Sequence, residues 1–174
     1  DGPALAAVLP EAAAAPTAAI PPGEGVGFVF AGNGAPWPGM AQPLAQANPA
    51  FAAALAEADA ALTPLLGWSP AALLSAGVSA EQLAATEQAQ PLLFAVQHAI
   101  VGALAAEGIR PAFTIGHSVG EIAAALAAGL LPMPEAARLI VARSRRQAET
   151  RGIGRMAALG CGEAEAMEAL AEAG

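Results

Sequence analysis

The segment 113–121, with the sequence FTIGHSVGE, contains a serine between two glycines in a Gly-x-Ser-x-Gly pattern. A short β-prone stretch precedes the pattern, and an alanine-rich apolar run follows it. This order predicts a nucleophile elbow, a tight turn between a strand and a helix that exposes one hydroxyl. Gly116 and Gly120 suit such a turn because a Cβ at either position would strike the neighbouring backbone. Ser118 is therefore predicted to be a catalytic nucleophile at a helix start, where free N–H groups favour developing negative charge.

Arg143 is a second residue that could do chemistry. On a helical wheel of the predicted helix 135–150 it shares an apolar stripe with Ala136, Leu139 and Ile140. A buried guanidinium needs an anionic partner, because leaving it unpaired costs about 3–5 kcal/mol. The partner is either a protein carboxylate or a substrate carboxylate held by two hydrogen bonds, and the spacing favours neither.

A glycine-rich loop, 32–39, follows the first predicted strand, 25–31. In folds with a parallel sheet, ligands bind at the loops that follow the strands. The loop is interpreted either as an oxyanion loop that offers the backbone N–H of Asn33, or as an ordinary turn, which its Asn-Gly pair would satisfy.

The elements that must position these residues are read from hydrophobic periodicity and from Gly and Pro punctuation. Residues 1–24, rich in Ala and Pro, are predicted to be a linker or the edge of a preceding domain. Trp68 is predicted to pack over the helix layer, and His98 to be a hydrogen-bonded core residue of a buried helix. The remaining predicted elements are a helix at 49–62 ended by a loop at 63–70, two short helices at 71–85 broken by Gly77, a long buried helix at 91–107 with Pro91 in its first turn, a strand at 154–159 and a helix at 163–173.

Composition excludes several classes of protein. The net charge of −8 argues against a nucleic-acid partner. All 7 basic residues are arginine, and the cluster at 138–155 either attracts an anionic substrate or partner or is a solvated helix face on which Arg145 points outward. Gln90 and Gln97 within the apolar segment 88–106 favour a core helix over a membrane span.

The single Cys161 excludes an internal disulfide framework and is interpreted as a small apolar filler. Because no secretion signal opens the chain, we expect a cytoplasmic location. We expect no metal site.

Four features together carry a resemblance to a known family. They are GHSVGE at 116–121, GNGAPWPGM at 32–40, AQPLLFAV at 89–96, and Arg143. With these, the chain resembles the malonyl-CoA:acyl-carrier-protein transacylase family, and within it the acyltransferase domains of type I polyketide synthases. The resemblance covers about 27–158.

The resemblance implies an α/β fold, with an α/β-hydrolase-like core built on a parallel sheet and an inserted ferredoxin-like subdomain. The chain would then consist of the linker 1–24, the first part of the core at 25–151, and the start of the subdomain at 152–174.

The resemblance also implies roles for residues of this chain. Ser118 matches the acylated nucleophile, and Arg143 matches the arginine that holds the malonyl carboxylate. The backbone N–H groups of Asn33 and Val119 match the oxyanion hole. Val119 next to the serine, where no glutamine stands, resembles members that select malonyl over methylmalonyl groups.

Two further residues, Gln90 and His117, match residues that line the pocket. His117 does not match the general base, and neither does His98, the other histidine of the sequence. The family's catalytic histidine lies beyond Gly174. A serine hydroxyl is a poor nucleophile without a base, so we expect the isolated chain to be nearly inactive.

The implied reaction moves a malonyl-type extender unit from coenzyme A, through a serine ester, to the phosphopantetheine thiol of an acyl carrier protein. No bound cofactor is required. The implied partners are malonyl-CoA, an acyl carrier protein, and the remainder of the acyltransferase domain and of a synthase polypeptide. Two alternatives stay open: a serine hydrolase or thioesterase that uses the same elbow, and a non-catalytic fragment of a megasynthase.

Overall fold

The computed structural model describes residues 25–154 and 160–173, so the predicted linker 1–24 and most of the predicted strand 154–159 lie outside the described residues. The fold is a mixture of helices and strands, with five helices between the two strands of the described residues and three helices after the second. The elements are β1 (Val26–Phe30), α1 (Gln42–Ala47), α2 (Pro49–Leu66), α3 (Pro70–Ala76), α4 (Ala80–Ala84), α5 (Thr86–Ala106), β2 (Pro111–Gly116), α6 (Gly120–Ala127), α7 (Met133–Ala148) and α8 (Glu163–Ala173).

Strands β1 and β2 pair in parallel, with Phe30 opposite Gly116 at their carboxyl ends. The pairing confirms the predicted parallel sheet within a mixed helix and strand fold. Because the carboxyl ends of parallel strands meet at one edge, the loop after β1 and the turn after β2 are neighbours. That edge carries the candidate site.

The core lies among helices α2, α5 and α7, and helix α6 packs against both strands and against α5 and α7. Phe51, Leu92, Phe94 and Ile140 are completely or almost completely buried there. Helix α5 is long and apolar enough to span a membrane, but 56% of its most apolar window is buried inside the protein. It is therefore the core helix that the sequence predicts.

Two helices extend beyond their predicted limits, and both contain an internal proline. Helix α5 begins at Thr86, so Pro91 does not lie in its first turn. Helix α2 continues through Pro64 to Leu66 and is capped by Gly67, whose φ of 81° is favourable for glycine. A proline removes its own N–H from the helical ladder and crowds the preceding turn, yet both helices continue through it. Helix α1 was not predicted.

Several other predictions are confirmed. Gly77, with a φ of 93°, separates the two short helices α3 and α4. Helix α8 has the predicted limits, and Trp68 packs partly buried against the core.

The predicted stripe of α7 is wrong at Leu139, which is 47% exposed. Helix α7 packs against α2 and α5 through a neighbouring stripe, which turns Leu139 toward solvent. The residues buried on α7 are Ala136, Ala137, Ile140, Val141 and Ser144.

The second face of the sheet is apolar and exposed. Val29, Phe113 and Ile115 point away from the core and are 74%, 55% and 53% exposed. Side chains alternate between the two faces of a strand, so this surface follows directly from the burial of Phe28 and Phe30 on the opposite face.

Candidate active site

The backbone at the end of β2 turns sharply into α6. The His117 N–H donates to the Phe30 carbonyl at 2.9 Å, which extends the contact between the strands by one residue. Ser118 has a φ of 56°, in the left-handed region that residues other than glycine rarely adopt. The Gly120 N–H then donates to the His117 carbonyl at 3.0 Å and starts the helix. The predicted strand, turn and helix are all present.

Two glycines allow this turn to be tight. A Cβ added at Gly116 would overlap the backbone of Glu121, and one added at Gly120 would overlap the carbonyl oxygen of Phe30. Both overlaps involve backbone atoms, which cannot move aside as a flexible side chain would. The predicted reason for glycine at these two positions is confirmed.

The hydroxyl of Ser118 contacts the guanidinium of Arg143. Nη2 of Arg143 donates to Oγ of Ser118 at 3.0 Å. Both side chains are half-buried, so a solvent molecule or a substrate can reach the pair while neighbouring residues restrict its movement. The residues that the sequence singled out as nucleophile and carboxylate-binding arginine are thus brought together.

Two glutamine side chains hold the other end of the guanidinium. Nη1 of Arg143 donates to Oε1 of Gln90 and to Oε1 of Gln147, each at 2.9 Å. Nε2 of Gln90 donates to Oε1 of Gln147 at 2.7 Å, which closes a ring of three side chains. Gln90 is completely buried in α5, so the ring ties α7 to the core.

The partners of Arg143 in the described residues are neutral. The ion pairs formed between these residues do not include it, whereas Arg146 pairs with Glu149 and Arg151 pairs with Glu87, each at 3.1 Å. Arg145 points outward as predicted and donates to the Leu65 carbonyl. Of the two partners that the sequence left open for Arg143, a protein carboxylate is not found in this part of the chain.

The glycine-rich loop lies against the elbow. A Cβ at Gly32 would be 2.8 Å from the His117 carbonyl oxygen and 3.2 Å from Cβ of Ser118. Within the described ranges, the N–H groups of Asn33 and Val119 do not donate to backbone carbonyls in the turns and loops. The N–H of Val119, next to Ser118 in the chain, and that of Asn33, next to Gly32, can therefore donate to a new acceptor.

Gln97 anchors the start of this loop. Its Nε2 atom donates to the Ala31 carbonyl at 2.8 Å, and the side chain is 8% exposed. A buried amide on α5 thereby holds the residue that precedes Gly32.

The two histidines occupy different environments. Nε2 of His98 lies 3.1 Å from Oε2 of Glu57, which agrees with a hydrogen-bonded residue of the helix layer. His117 is exposed, and its imidazole lies beside Gly32. The hydrogen bond of the Ser118 side chain is made with Arg143 and not with an imidazole.

Gln147 and Gln97 were not identified from the sequence as parts of the site. Gln147 follows Arg143 by four residues, a spacing that places two side chains on the same helix face. That spacing could have indicated Gln147 once Arg143 was chosen. The contact of Gln97 with a loop 66 residues away has no local signal.

Comparisons with known proteins agree with one another. The family model described as "Acyl transferase domain" matches residues 27–173. Erythronolide synthase EryA2 of Saccharopolyspora erythraea is 38% identical over 148 residues, which cover 85% of this chain and 4% of that protein.

Solved structures give the same result. The acyltransferase domain of the polyketide synthase PpsC of Mycobacterium tuberculosis superposes with a TM-score of 0.69 at 37% identity, covering 75% of this chain and 39% of that one. A type II PKS acyl-carrier protein in complex with its malonyl-transacylase matches with a TM-score of 0.63 at 31% identity, covering 73% and 40%. The chain thus spans about two fifths of the solved domains that it matches.

Proposed function

The chain belongs to the acyl transferase domain family, as found in type I polyketide synthases, and on that premise we propose that it transfers malonyl-type extender units. The acyl group moves from coenzyme A to Ser118 as an ester, and from there to the phosphopantetheine thiol of an acyl carrier protein. The contact of 3.0 Å between Arg143 and Ser118 is the observation that carries this proposal.

Ser118 acts as the nucleophile. Its left-handed backbone aims the hydroxyl out of the turn, and strain of this kind is concentrated at functional sites. The oxygen attacks the thioester carbonyl as a base takes its proton, and the coenzyme A sulfur leaves with the electron pair of the C–S bond and takes up that proton. The carrier-protein thiol later attacks the serine ester and restores the hydroxyl.

The N–H groups of Asn33 and Val119 stabilise the oxyanion of each tetrahedral intermediate. Val119 follows Ser118 in the chain and Gly32, the residue before Asn33, lies against the elbow, and neither N–H has a carbonyl acceptor in the described loops; these observations support this role. A donor of this kind typically contributes about 10²–10³ in rate.

Arg143 selects acyl groups that carry a carboxylate. Its described partners are amide and hydroxyl oxygens, so its charge is available to a substrate anion. A malonyl group has one methylene between its carboxylate and its thioester carbonyl, which suits a guanidinium in contact with the nucleophile. We assign Gln90 and His117 to the same pocket, because Gln90 supports Arg143 and the His117 imidazole lies beside Gly32.

A general base for Ser118 comes from outside residues 1–174. His98 is engaged with Glu57, and the hydroxyl of Ser118 contacts Arg143, so neither described histidine has the geometry of a base. The chain alone is therefore nearly inactive.

The proposed domain organisation follows from the same premise. Residues 25–151 form the first part of an α/β-hydrolase-like core, 152–174 begin a ferredoxin-like subdomain, and 1–24 are a linker. The exposed apolar face formed by Val29, Phe113 and Ile115 supports further packing against this part of the core.

The test compares the chain alone with a completed domain, in which residues 1–174 are joined to the C-terminal part of the PpsC acyltransferase domain. After mixing with malonyl-CoA, intact-protein mass spectrometry measures the malonyl adduct, and Ser118→Ala is the matched control. We expect the adduct on the completed domain, almost none on the chain alone, and none on the Ser118→Ala variant. A cooperative thermal transition verifies that each protein is folded.

Adding an acyl carrier protein separates the alternatives. A transferase passes the malonyl group to the carrier protein and releases little free malonate. A hydrolase or thioesterase would release malonate at the same rate with and without the carrier protein. A non-catalytic fragment would give no adduct on Ser118 even in a folded completed domain.

A further inference from the structure

Gln147 has no step in the proposed reaction, yet it contacts both Arg143 and the buried Gln90. We propose that Gln147 is a positioning residue that, together with Gln90, fixes which edge of the Arg143 guanidinium is offered to the acyl carboxylate. The inference rests on the proposed function, because it concerns how that same site holds its acyl group.

The hydrogen bonds of the guanidinium support this role. An arginine has five N–H donors, of which Nη1 carries two. The Oε1 atoms of Gln90 and Gln147 each accept from Nη1 at 2.9 Å, so both of its N–H groups have acceptors. A carboxylate can then make a two-point contact only with Nε and Nη2. Nη2 is the atom that already touches Ser118.

The ring of side chains makes this orientation rigid. Oε1 of Gln147 accepts from Arg143 and from Nε2 of Gln90, and Gln90 is completely buried in α5. Gln147 lies one turn after Arg143 on α7, so it braces the guanidinium from its own helix. Without this acceptor one N–H of Nη1 is released, and the guanidinium can rotate away from the serine.

The alternative is that Gln147 only joins α7 to α5. In that case, removing its amide would lower stability and weaken every acyl transfer to the same extent. A positioning role instead predicts that the loading of acyl groups with a carboxylate becomes weaker and that acetyl loading does not change.

The experiment uses the completed domain and two variants. Gln147→Met keeps the length of the side chain and removes the amide acceptor. Gln147→Glu keeps an acceptor and adds a negative charge next to Arg143. Gln46→Met, at an exposed glutamine of α1, is the matched control. The rates of serine loading from malonyl-CoA and from acetyl-CoA are measured for each protein over a range of thioester concentrations.

For Gln147→Met we expect the KM for malonyl-CoA to rise about tenfold, as for the loss of one hydrogen bond to a charged group. The kcat/KM for acetyl-CoA stays within about twofold. Gln147→Glu lowers malonyl loading further, because its charge competes with the substrate carboxylate for the guanidinium. The control variant behaves as the parent does.

Failure of the inference and failure of the proposed function give different results. If the parent domain loads malonyl groups and Gln147→Met does so with an unchanged KM, or loses malonyl and acetyl loading equally, the positioning role is wrong. If the folded parent domain forms no malonyl adduct, the proposed function is wrong and the inference falls with it. A change in melting temperature alone would indicate the structural alternative.

Discussion

Nη2 of Arg143 and Oγ of Ser118 lie 3.0 Å apart although the two residues are 25 positions apart in the chain. Different structural elements bring the two side chains into contact. Ser118 is presented by the glycine-flanked turn after β2, and Arg143 follows the buried stripe of α7 that packs on α5. The proposed selection of a short diacid thioester depends on this meeting of a hydroxyl and a cation at the carboxyl edge of the sheet.

Replacing Arg143 with alanine is expected to change acyl selectivity. Loading from malonyl-CoA in the completed domain should fall by about 100-fold or more, since the substrate carboxylate loses its cationic partner. Loading from acetyl-CoA should be unchanged or faster. Arg146→Ala is the control, because this arginine is exposed and, in the part of the chain that the structure describes, its ion pair is with Glu149. Equal loss for both acyl groups would contradict a carboxylate-binding role.

The left-handed backbone of Ser118 predicts that glycine at this position raises the stability of the protein while its activity is lost. Glycine adopts a φ of 56° without the steric penalty of a Cβ, which amounts to about 1–2 kcal/mol in this region. Ser118→Gly should therefore raise the free energy of unfolding by about 1 kcal/mol and abolish loading. Ser118→Ala should abolish loading with no such gain. Urea denaturation of the three proteins measures the difference, and equal stability of all three would show that the turn is not strained.

The elbow could be predicted from the sequence because its requirements are local. Gly116 and Gly120 are needed because any Cβ at these positions overlaps the backbone. Both glycines stand two residues from Ser118, so the pattern is contained in a short stretch of sequence. Most helices and both described strands were likewise visible from periodicity. The helix ends near Pro64 and Pro91 were not, because a proline inside a helix removes one hydrogen bond and tertiary packing decides whether the helix continues.

The partners of Arg143 could not be predicted from local pattern. Its place on an apolar stripe indicated a buried cation, but Gln90 and Ser118 lie 53 and 25 residues away. Such contacts depend on the packing of α7 against α5 and on the elbow together. The exposure of Leu139 has the same origin. A helical wheel does not specify how α7 is rotated about its own axis, and this rotation decides which side of its apolar stripe is buried.

Gly120 should tolerate no side chain. A Cβ there overlaps the carbonyl oxygen of Phe30, so Gly120→Ala requires β1 and α6 to separate. We expect a loss of about 2–3 kcal/mol in the free energy of unfolding and a large loss of loading. Gly160→Ala is the control, because a Cβ at that position meets no atom of the described residues within 4 Å. Equal effects of the two substitutions, measured by urea denaturation, would contradict the close packing of the elbow.

Replacing Gln97 is expected to disturb the oxyanion loop without disturbing the acyl pocket. Its amide holds the Ala31 carbonyl at 2.8 Å, directly before the loop that carries Asn33. Gln97→Leu removes this anchor from a site that is 8% exposed, and the loop can then shift relative to Ser118. The oxyanion forms for every acyl group, so kcat should fall about 10- to 100-fold for malonyl-CoA and acetyl-CoA alike.

The same variant should leave the KM for malonyl-CoA nearly unchanged, because the carboxylate is held by Arg143 and not by the loop. This pattern is the reverse of the one expected for Arg143→Ala, which discriminates between the two acyl groups. Gln46→Leu, an exposed glutamine of α1, is the matched control for the substitution itself. Steady-state rates for both thioesters give the comparison. A loss confined to malonyl-CoA, or a lower melting temperature with full kcat, would show that Gln97 does not act through the oxyanion loop.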